Sequence, residues 1–115
     1  MAVLAIVDDL VFRAKIEHAA SCQQVAVRMV AGAAPALAAL ERSSWTLILL
    51  DLGGATQDPR ALITSLRTAA PTTPIIGFCS HVDTALRRDA LAAGCTHVLP
   101  RSVFVQRLPE LLKEK

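Results

Sequence analysis

The sequence predicts an α/β domain in which helices cover both faces of a parallel sheet. Five short apolar runs alternate with five helical segments; the runs are VLAIV (3–7), VAVRMV (25–30), TLILL (46–50), the second half of PTTPIIGF (71–78) and HVLP (97–100). Continuous apolar runs are typical of strands buried on both faces, and strand–helix alternation indicates right-handed crossovers in a parallel sheet. With 115 residues, 53% of them hydrophobic, the segment 1–115 is predicted to form one domain.

The first two helices are predicted from periodicity and composition. Between residues 11 and 20, Phe12, Ile16 and Ala19 recur at the spacing of one helix face. Residues 34–42, APALAALER, are rich in alanine, and a proline is accepted in the first turn of a helix. Both segments therefore fit helices that connect neighbouring strands.

The remaining helices are predicted from their end signals. Asp58 before Pro59 is a typical helix start, and Asp83 is a second candidate cap. Gly94 is well placed to end the fourth helix. The final segment, VFVQRLPELLKEK, predicts a turn followed by a short helix with Pro109 near its start.

Composition argues against several classes of function. The net charge of +2 and the 3% aromatic content, without tyrosine, do not favour nucleic-acid binding. No apolar stretch approaches the roughly 20 residues that span a bilayer, so no membrane partner is expected, and the N-terminus does not resemble a signal peptide. Three cysteines without a CxxC pattern fit a reducing, cytoplasmic location, where Cys22 and Cys95 are expected to pack as small apolar residues.

Acidic residues follow two of the predicted strands. Asp8 and Asp9 end the first strand, and Asp51 ends the third. In an open parallel sheet, ligands bind outside the carboxyl ends of the strands. If the strand order is 2-1-3-4-5, the first and third strands are neighbours, and three carboxylates share one pocket suited to a hard cation such as Mg²⁺. The alternative is that Asp8 and Asp9 form only a polar turn.

The sequence resembles the response-regulator receiver domains of bacterial two-component signalling over nearly its whole length. The resemblance is carried by VDD after the first strand, LILLDL in the third strand and AAGCTHVLPRS before the last helix. It implies a flavodoxin-like (βα)5 fold with a doubly wound, five-stranded parallel sheet in the order 2-1-3-4-5. It also implies that a histidine kinase or phosphotransfer protein phosphorylates Asp51. Mg²⁺ would be held by Asp9, Asp51 and the carbonyl of Gly53, with Asp8 acting through water.

The sequence departs from the receiver pattern where that family senses the phosphoryl group. The switch hydroxyl after the fourth strand corresponds to Cys79, with Ser80 one position later, and a thiol is a weak hydrogen-bond donor. The usual lysine is Arg101, the proline after it is Ser102, and the switch aromatic is Val98. The loop GGATQD (53–58) also replaces a loop that usually contains Met-Pro.

Three hypotheses follow from these residues. The leading one is a stand-alone receiver, not an enzyme, that accepts phosphate on Asp51 and signals through a downstream protein partner or as a homodimer. The second is a phosphorylation-independent pseudo-receiver that acts as an interaction module, with Arg101 in a permanent ion pair with Asp51 instead of contacting a phosphoryl group. The third is a small enzyme that uses Cys79, with His81 as a thiol–imidazole partner.

Overall fold

The computed structural model describes residues 2–53, 58–80 and 84–113. Five strands alternate with five helices in the order β1 (Ala2–Ile6), α1 (Leu10–Cys22), β2 (Ala26–Val30), α2 (Ala33–Arg42), β3 (Leu47–Asp51), α3 (Pro59–Ala69), β4 (Ile75–Cys79), α4 (Thr84–Ala93), β5 (His97–Pro100) and α5 (Arg101–Leu111). The strands form one parallel sheet in the order β2-β1-β3-β4-β5. The predicted fold class and strand order are therefore confirmed.

The sheet separates two apolar layers, because successive residues of a strand point to opposite faces. In β3, Leu47 and Leu49 pack on the side of α1 and α5, whereas Ile48 and Leu50 pack on the side of α2, α3 and α4. All five residues of β3 are buried. The apolar run TLILL thus corresponds to the central strand, which is covered on both faces and carries Asp51 at its end.

Aspartate side chains begin two of the helices. Asp9 caps α1, and its Oδ1 accepts hydrogen bonds from the backbone N–H groups of Val11 (2.8 Å) and Phe12 (3.3 Å). Asp58 caps α3 as predicted, and its Oδ1 accepts from the N–H of Ala61 at 3.1 Å. The predicted cap at residue 83 lies outside the described residues.

The last helix differs from the sequence prediction. It begins directly after β5, at Arg101, and Pro109 lies near its C-terminal end instead of at its start. Phe104 and Leu108, one helical turn apart, are buried against the α1 side of the sheet. Proline cannot donate a backbone hydrogen bond and crowds the preceding turn, and here only two helical residues follow it.

At the edge of the sheet opposite Asp51, Arg67 of α3 joins several loops. Its guanidinium donates hydrogen bonds to the carbonyl oxygens of Gly94 (2.7 and 3.2 Å), Thr73 (2.7 Å), Ala70 (3.0 Å) and Pro71 (3.2 Å). Gly94 ends α4 as predicted, with φ at +135°, a backbone conformation that favours glycine. Among the described residues, no helix combines the length and apolar character needed to cross a membrane.

Candidate functional site

The candidate site lies where the carboxyl ends of β1, β3, β4 and β5 meet. Ile6 pairs with Leu50, and Asp51 pairs with Phe78, so the residues that follow β1 reach the level of Asp51. Asp51 continues the alternation of Leu47 and Leu49 and therefore belongs to the face covered by α1 and α5. Arg101, the first residue of α5, faces this carboxylate.

Asp51 is the buried charged residue of the described core, with 1% of its surface exposed. Its Oδ1 accepts a hydrogen bond from the backbone N–H of Gly53 at 2.9 Å. Its Oδ2 lies 3.4 Å from Nη2 of Arg101. A buried carboxylate needs hydrogen bonds and a compensating charge, and these two neighbours provide both.

Arg101 is held by an aromatic ring as well as by Asp51. The Cζ atom of its guanidinium lies 4.6 Å from the centroid of the Phe12 ring, which is within the range of a cation–π contact. Phe12 stacks on Phe78 with ring centroids 5.4 Å apart, and Phe78 stacks on Phe104 at 4.1 Å. The Nε atom of Arg101 is buried and has no hydrogen-bond partner within the described part of the chain.

The acidic pair after β1 is divided between two environments. Asp8 is exposed, whereas Asp9 is partly buried and uses Oδ1 to cap α1. The described residues contain no group of three or more histidine, cysteine, aspartate or glutamate side chains placed to hold a metal ion. The structure thus brings Asp51 and Arg101 into contact at this edge, and it does not gather the three carboxylates into one cluster.

Solved structures share this architecture closely, although no protein-family model and no curated protein matches the sequence significantly. The receiver domain of NtrX from Brucella abortus is 21% identical with a TM-score of 0.83, and the match covers 95% of this chain and 92% of that one. The chain has the fold of a response-regulator receiver domain. The resemblance drawn from VDD, LILLDL and AAGCTHVLPRS is confirmed at this level.

Two further similar structures contain bound metal ions. The receiver domain of the sensor histidine kinase PA1611 from Pseudomonas aeruginosa has a magnesium ion coordinated in its active-site cleft; it is 23% identical, with a TM-score of 0.83 and 96% and 93% coverage of the two chains. A response regulator from Burkholderia pseudomallei contains a phosphorylated aspartic acid and a calcium ion; it is 21% identical, with a TM-score of 0.81 and 97% and 66% coverage. Against a longer NtrX chain, the match spans 27% of that chain.

The residues at the predicted switch positions differ in their burial and in the face of the sheet on which they lie. Cys79, the last residue of β4, is buried among apolar residues on the side of α2, α3 and α4, which is the face opposite Asp51. Ser80 is exposed, and Ser102 is exposed in the first turn of α5. Val98 is buried in the same apolar layer as Cys79. The pairing of Cys79 with His81 stays a prediction, because residue 81 lies outside the described residues.

The other two cysteines have contrasting surroundings. Cys95 is buried as expected, and desolvation raises its pKa from 9.0 to about 11, opposed by the positive charge of Arg67 and a hydrogen bond with the backbone of Gly77. Cys22 was expected to pack as a small apolar residue, and this expectation is wrong. It is exposed, and its Sγ lies 3.8 Å from Nε2 of His18, one helical turn earlier in α1.

A cavity of about 370 Å³ lies between α1 and α5, away from Asp51. Its lining residues are Lys15, His18, Ala19, Cys22, Gln23, Val105, Leu108 and Pro109. It contains none of the residues that sequence reasoning assigned to the site. The contact that sequence reasoning missed is the stacking of Phe12 on Arg101; the helical spacing of Phe12 and Ile16 assigned Phe12 to the core but carried no signal of this partner.

Proposed function

We propose that this chain is a receiver-type signalling module that accepts a phosphoryl group on Asp51. The observation that carries the proposal is a buried carboxylate at the end of the central strand of a receiver fold, beside a guanidinium group. Asp51 is 1% exposed, and Nη2 of Arg101 lies 3.4 Å from its Oδ2. Such a module stores a phosphoryl group for a partner protein and does not act as an enzyme on a small substrate.

The two oxygens of Asp51 have different roles in this proposal. Oδ1 is engaged with the N–H of Gly53 at 2.9 Å, whereas the contact of Oδ2 with Arg101 is long. We therefore assign Oδ2 as the nucleophile. Oδ2 forms a bond to phosphorus, the bond between phosphorus and the imidazole nitrogen of a phosphohistidine breaks, and that nitrogen leaves with the electron pair. Arg101 then binds an oxygen of the phosphoryl group, because positioning and charge neutralisation dominate such transfers.

The residues at this edge have the oxygen donors that Mg²⁺ prefers. The proposed ligands are Asp9, Asp51 and the carbonyl oxygen of Gly53, with Asp8 acting through water. Mg²⁺ is commonly bound by one or two carboxylates together with phosphate oxygens and water, so a cluster of three carboxylates is not required. When bound, Mg²⁺ would neutralise negative charge on the transferring phosphoryl group. Asp9 can serve because only its Oδ1 takes part in capping α1.

Ser80 is a better candidate than Cys79 for the switch hydroxyl. Ile76 and Phe78 pack on the α1 and α5 side of the sheet, which is the side of Asp51, whereas Cys79 packs on the other side. If the strand alternation continues for one more residue, the Ser80 side chain follows Phe78 onto the face of Asp51. We therefore propose that Ser80 provides the hydroxyl and that Cys79 is a core residue.

The proposed partners follow from the receiver fold. A histidine kinase or a phosphotransfer protein would donate the phosphoryl group, and a downstream protein or a second copy of the chain would respond, with all of these meeting in the cytoplasm. The match to the longer NtrX chain spans 27% of that chain. The proposal therefore concerns only a receiver-type module and not what the rest of NtrX does.

One observation favours a pseudo-receiver as the second candidate. The carboxylate of Asp51 is almost completely buried and already faces a cation. A permanent pair of this kind would present a fixed surface to a partner protein without any kinase.

An NMR amide titration separates the two functions. Mg²⁺ is added first, then fluoroberyllate as a mimic of the phosphoryl group, with Asp51→Asn as the control. Shifts near Asp9 and Gly53 with Mg²⁺, followed by shifts in β4 and β5 with fluoroberyllate in the wild type alone, support the phosphoacceptor function. Mg²⁺ binding without any response to fluoroberyllate supports the pseudo-receiver, and a response that persists in Asp51→Asn contradicts the assigned site.

A further inference from the structure

The Arg101 guanidinium has a donor edge that is only partly used. Nε and Nη2 lie on the same edge of a guanidinium and can bind two oxygens, or one tetrahedral group, in a forked arrangement. Here Nη2 reaches Oδ2 of Asp51 at 3.4 Å, which is longer than the usual 2.7–2.9 Å of a charge-assisted hydrogen bond. Nε is buried and has no partner within the described residues.

A buried N–H group without a partner is costly and calls for a physical explanation. The carboxylate of Asp51 does not engage Nε: its Oδ1 accepts from the N–H of Gly53, and its Oδ2 faces Nη2 of Arg101. The Nε–Nη2 edge of Arg101 lies beside Oδ2 of Asp51, where an additional oxygen atom bonded through Oδ2 could accept from Nε. An oxygen of a phosphoryl group on Oδ2 would complete the fork.

Phe12 lies directly against this guanidinium. Its ring lies 4.6 Å from Cζ of Arg101, is 8% exposed, and is backed by Phe78. Its backbone N–H also donates to Oδ1 of Asp9 at 3.3 Å. Phe12 therefore contacts both a carboxylate proposed to bind Mg²⁺ and the cation proposed to bind the phosphoryl group.

We infer that Phe12 is a positioning residue that holds the Nε–Nη2 edge of Arg101 ready for a phosphoryl oxygen at Asp51. This inference rests on the proposed function and adds a residue and a donor atom to it. It also explains why an arginine suits position 101. A lysine ammonium has neither a planar face for stacking on Phe12 nor two parallel N–H donors.

The test uses the full chain, Mg²⁺ and fluoroberyllate, with the Nε–H signal of Arg101 followed by NMR. In the wild type, we expect slow exchange of this proton with water before ligand is added and a large shift on binding. Phe12→Leu should speed the exchange and weaken fluoroberyllate binding roughly tenfold, as expected for loss of a desolvated cation–π contact.

Phe104→Leu is the matched control. Phe104 is fully buried and stacks on Phe78 like Phe12, but the structure shows no ring contact between Phe104 and Arg101. This variant should bind fluoroberyllate within about twofold of the wild type, because the cation–π contact is kept. Equal weakening in both variants would mean that Phe12 acts only through core packing, and this result would overturn the inference.

Arg101→Lys provides a test that does not depend on the stability of Phe12→Leu. It should weaken fluoroberyllate binding to a similar extent, and adding Phe12→Leu to it should have little further effect. Additive losses would overturn the inference while leaving the proposed function intact. If the wild type itself fails to bind fluoroberyllate in the presence of Mg²⁺, the proposed function fails as well, which is a distinct result.

Discussion

The Oδ1 atom of Asp51 accepts the backbone N–H of Gly53, two residues later, at 2.9 Å. This hydrogen bond closes the turn after β3 and fixes the carboxylate plane, leaving Oδ2 toward Arg101. The buried acid is therefore accommodated by its own turn and by one cation. Its removal should therefore affect folding as well as the proposed phosphoryl transfer.

Truncation of Asp51 should destabilise the protein. In Asp51→Ala, the N–H of Gly53 and the guanidinium of Arg101 both lose their acceptor, and the free energy of unfolding should fall by about 1–3 kcal/mol. Asp51→Asn should lose less, because the amide oxygen can still accept from Gly53. Urea denaturation measures both changes. Asp8→Asn, at an exposed carboxylate, is the control and should stay within about 0.5 kcal/mol of the wild type.

The cap that Asp9 forms on α1 and its proposed role as a ligand of Mg²⁺ can be separated by substitution. Asp9→Ala removes the cap of α1 and should lower the free energy of unfolding by about 1 kcal/mol. The same variant should also bind Mg²⁺ more weakly. Asp9→Asn keeps a good capping side chain, so it should retain most of the stability and still lose Mg²⁺ binding. Asp58→Ala removes the cap of α3 and should reduce stability without changing Mg²⁺ affinity. Unchanged Mg²⁺ affinity in Asp9→Asn would exclude Asp9 as a ligand.

Arg67 is expected to be a stability residue without a role at the site. Arg67→Met leaves carbonyl oxygens of four residues without their donor and should lower the free energy of unfolding by about 2–4 kcal/mol. Arg60→Met, at an exposed position of the same helix, should change it by less than about 0.5 kcal/mol. Similar urea midpoints for the two variants would contradict the assigned role of Arg67.

Alkaline pH should weaken the fold through Cys95. Burial raises the pKa of this thiol to about 11 from 9.0, so between these values the unfolded chain loses the proton while the folded protein keeps it. The stabilising contribution is complete below pH 9 and is lost as the pH rises toward 11. The free energy of unfolding, measured between pH 9 and pH 11, should fall more steeply for the wild type than for Cys95→Ala. Parallel pH profiles would show that Cys95 does not contribute.

Sequence patterning predicted the three inner strands of the sheet well, because β1, β3 and β4 are buried on both faces and have continuous apolar runs. For the same reason it placed Asp51 at the end of the third strand, which is the central strand of the sheet. It failed at α5, where Pro109 was interpreted as a start signal although burial of Phe104 and Leu108 extends the helix past it. It also could not predict the contact between Phe12 and Arg101, because local periodicity describes which face is buried and not which distant residue covers it.

The parallel order of the strands has a consequence for how the protein folds. The partners Asp51 and Arg101 are 50 residues apart in the chain, and parallel strands can pair only after a long loop has closed. During synthesis, β1, β2 and β3 are available before β5 and α5 exist. The acidic end of the central strand therefore has no cation beside it until β5 and the start of α5 have been made, so the pair of Asp51 and Arg101 cannot form while only the first three strands exist.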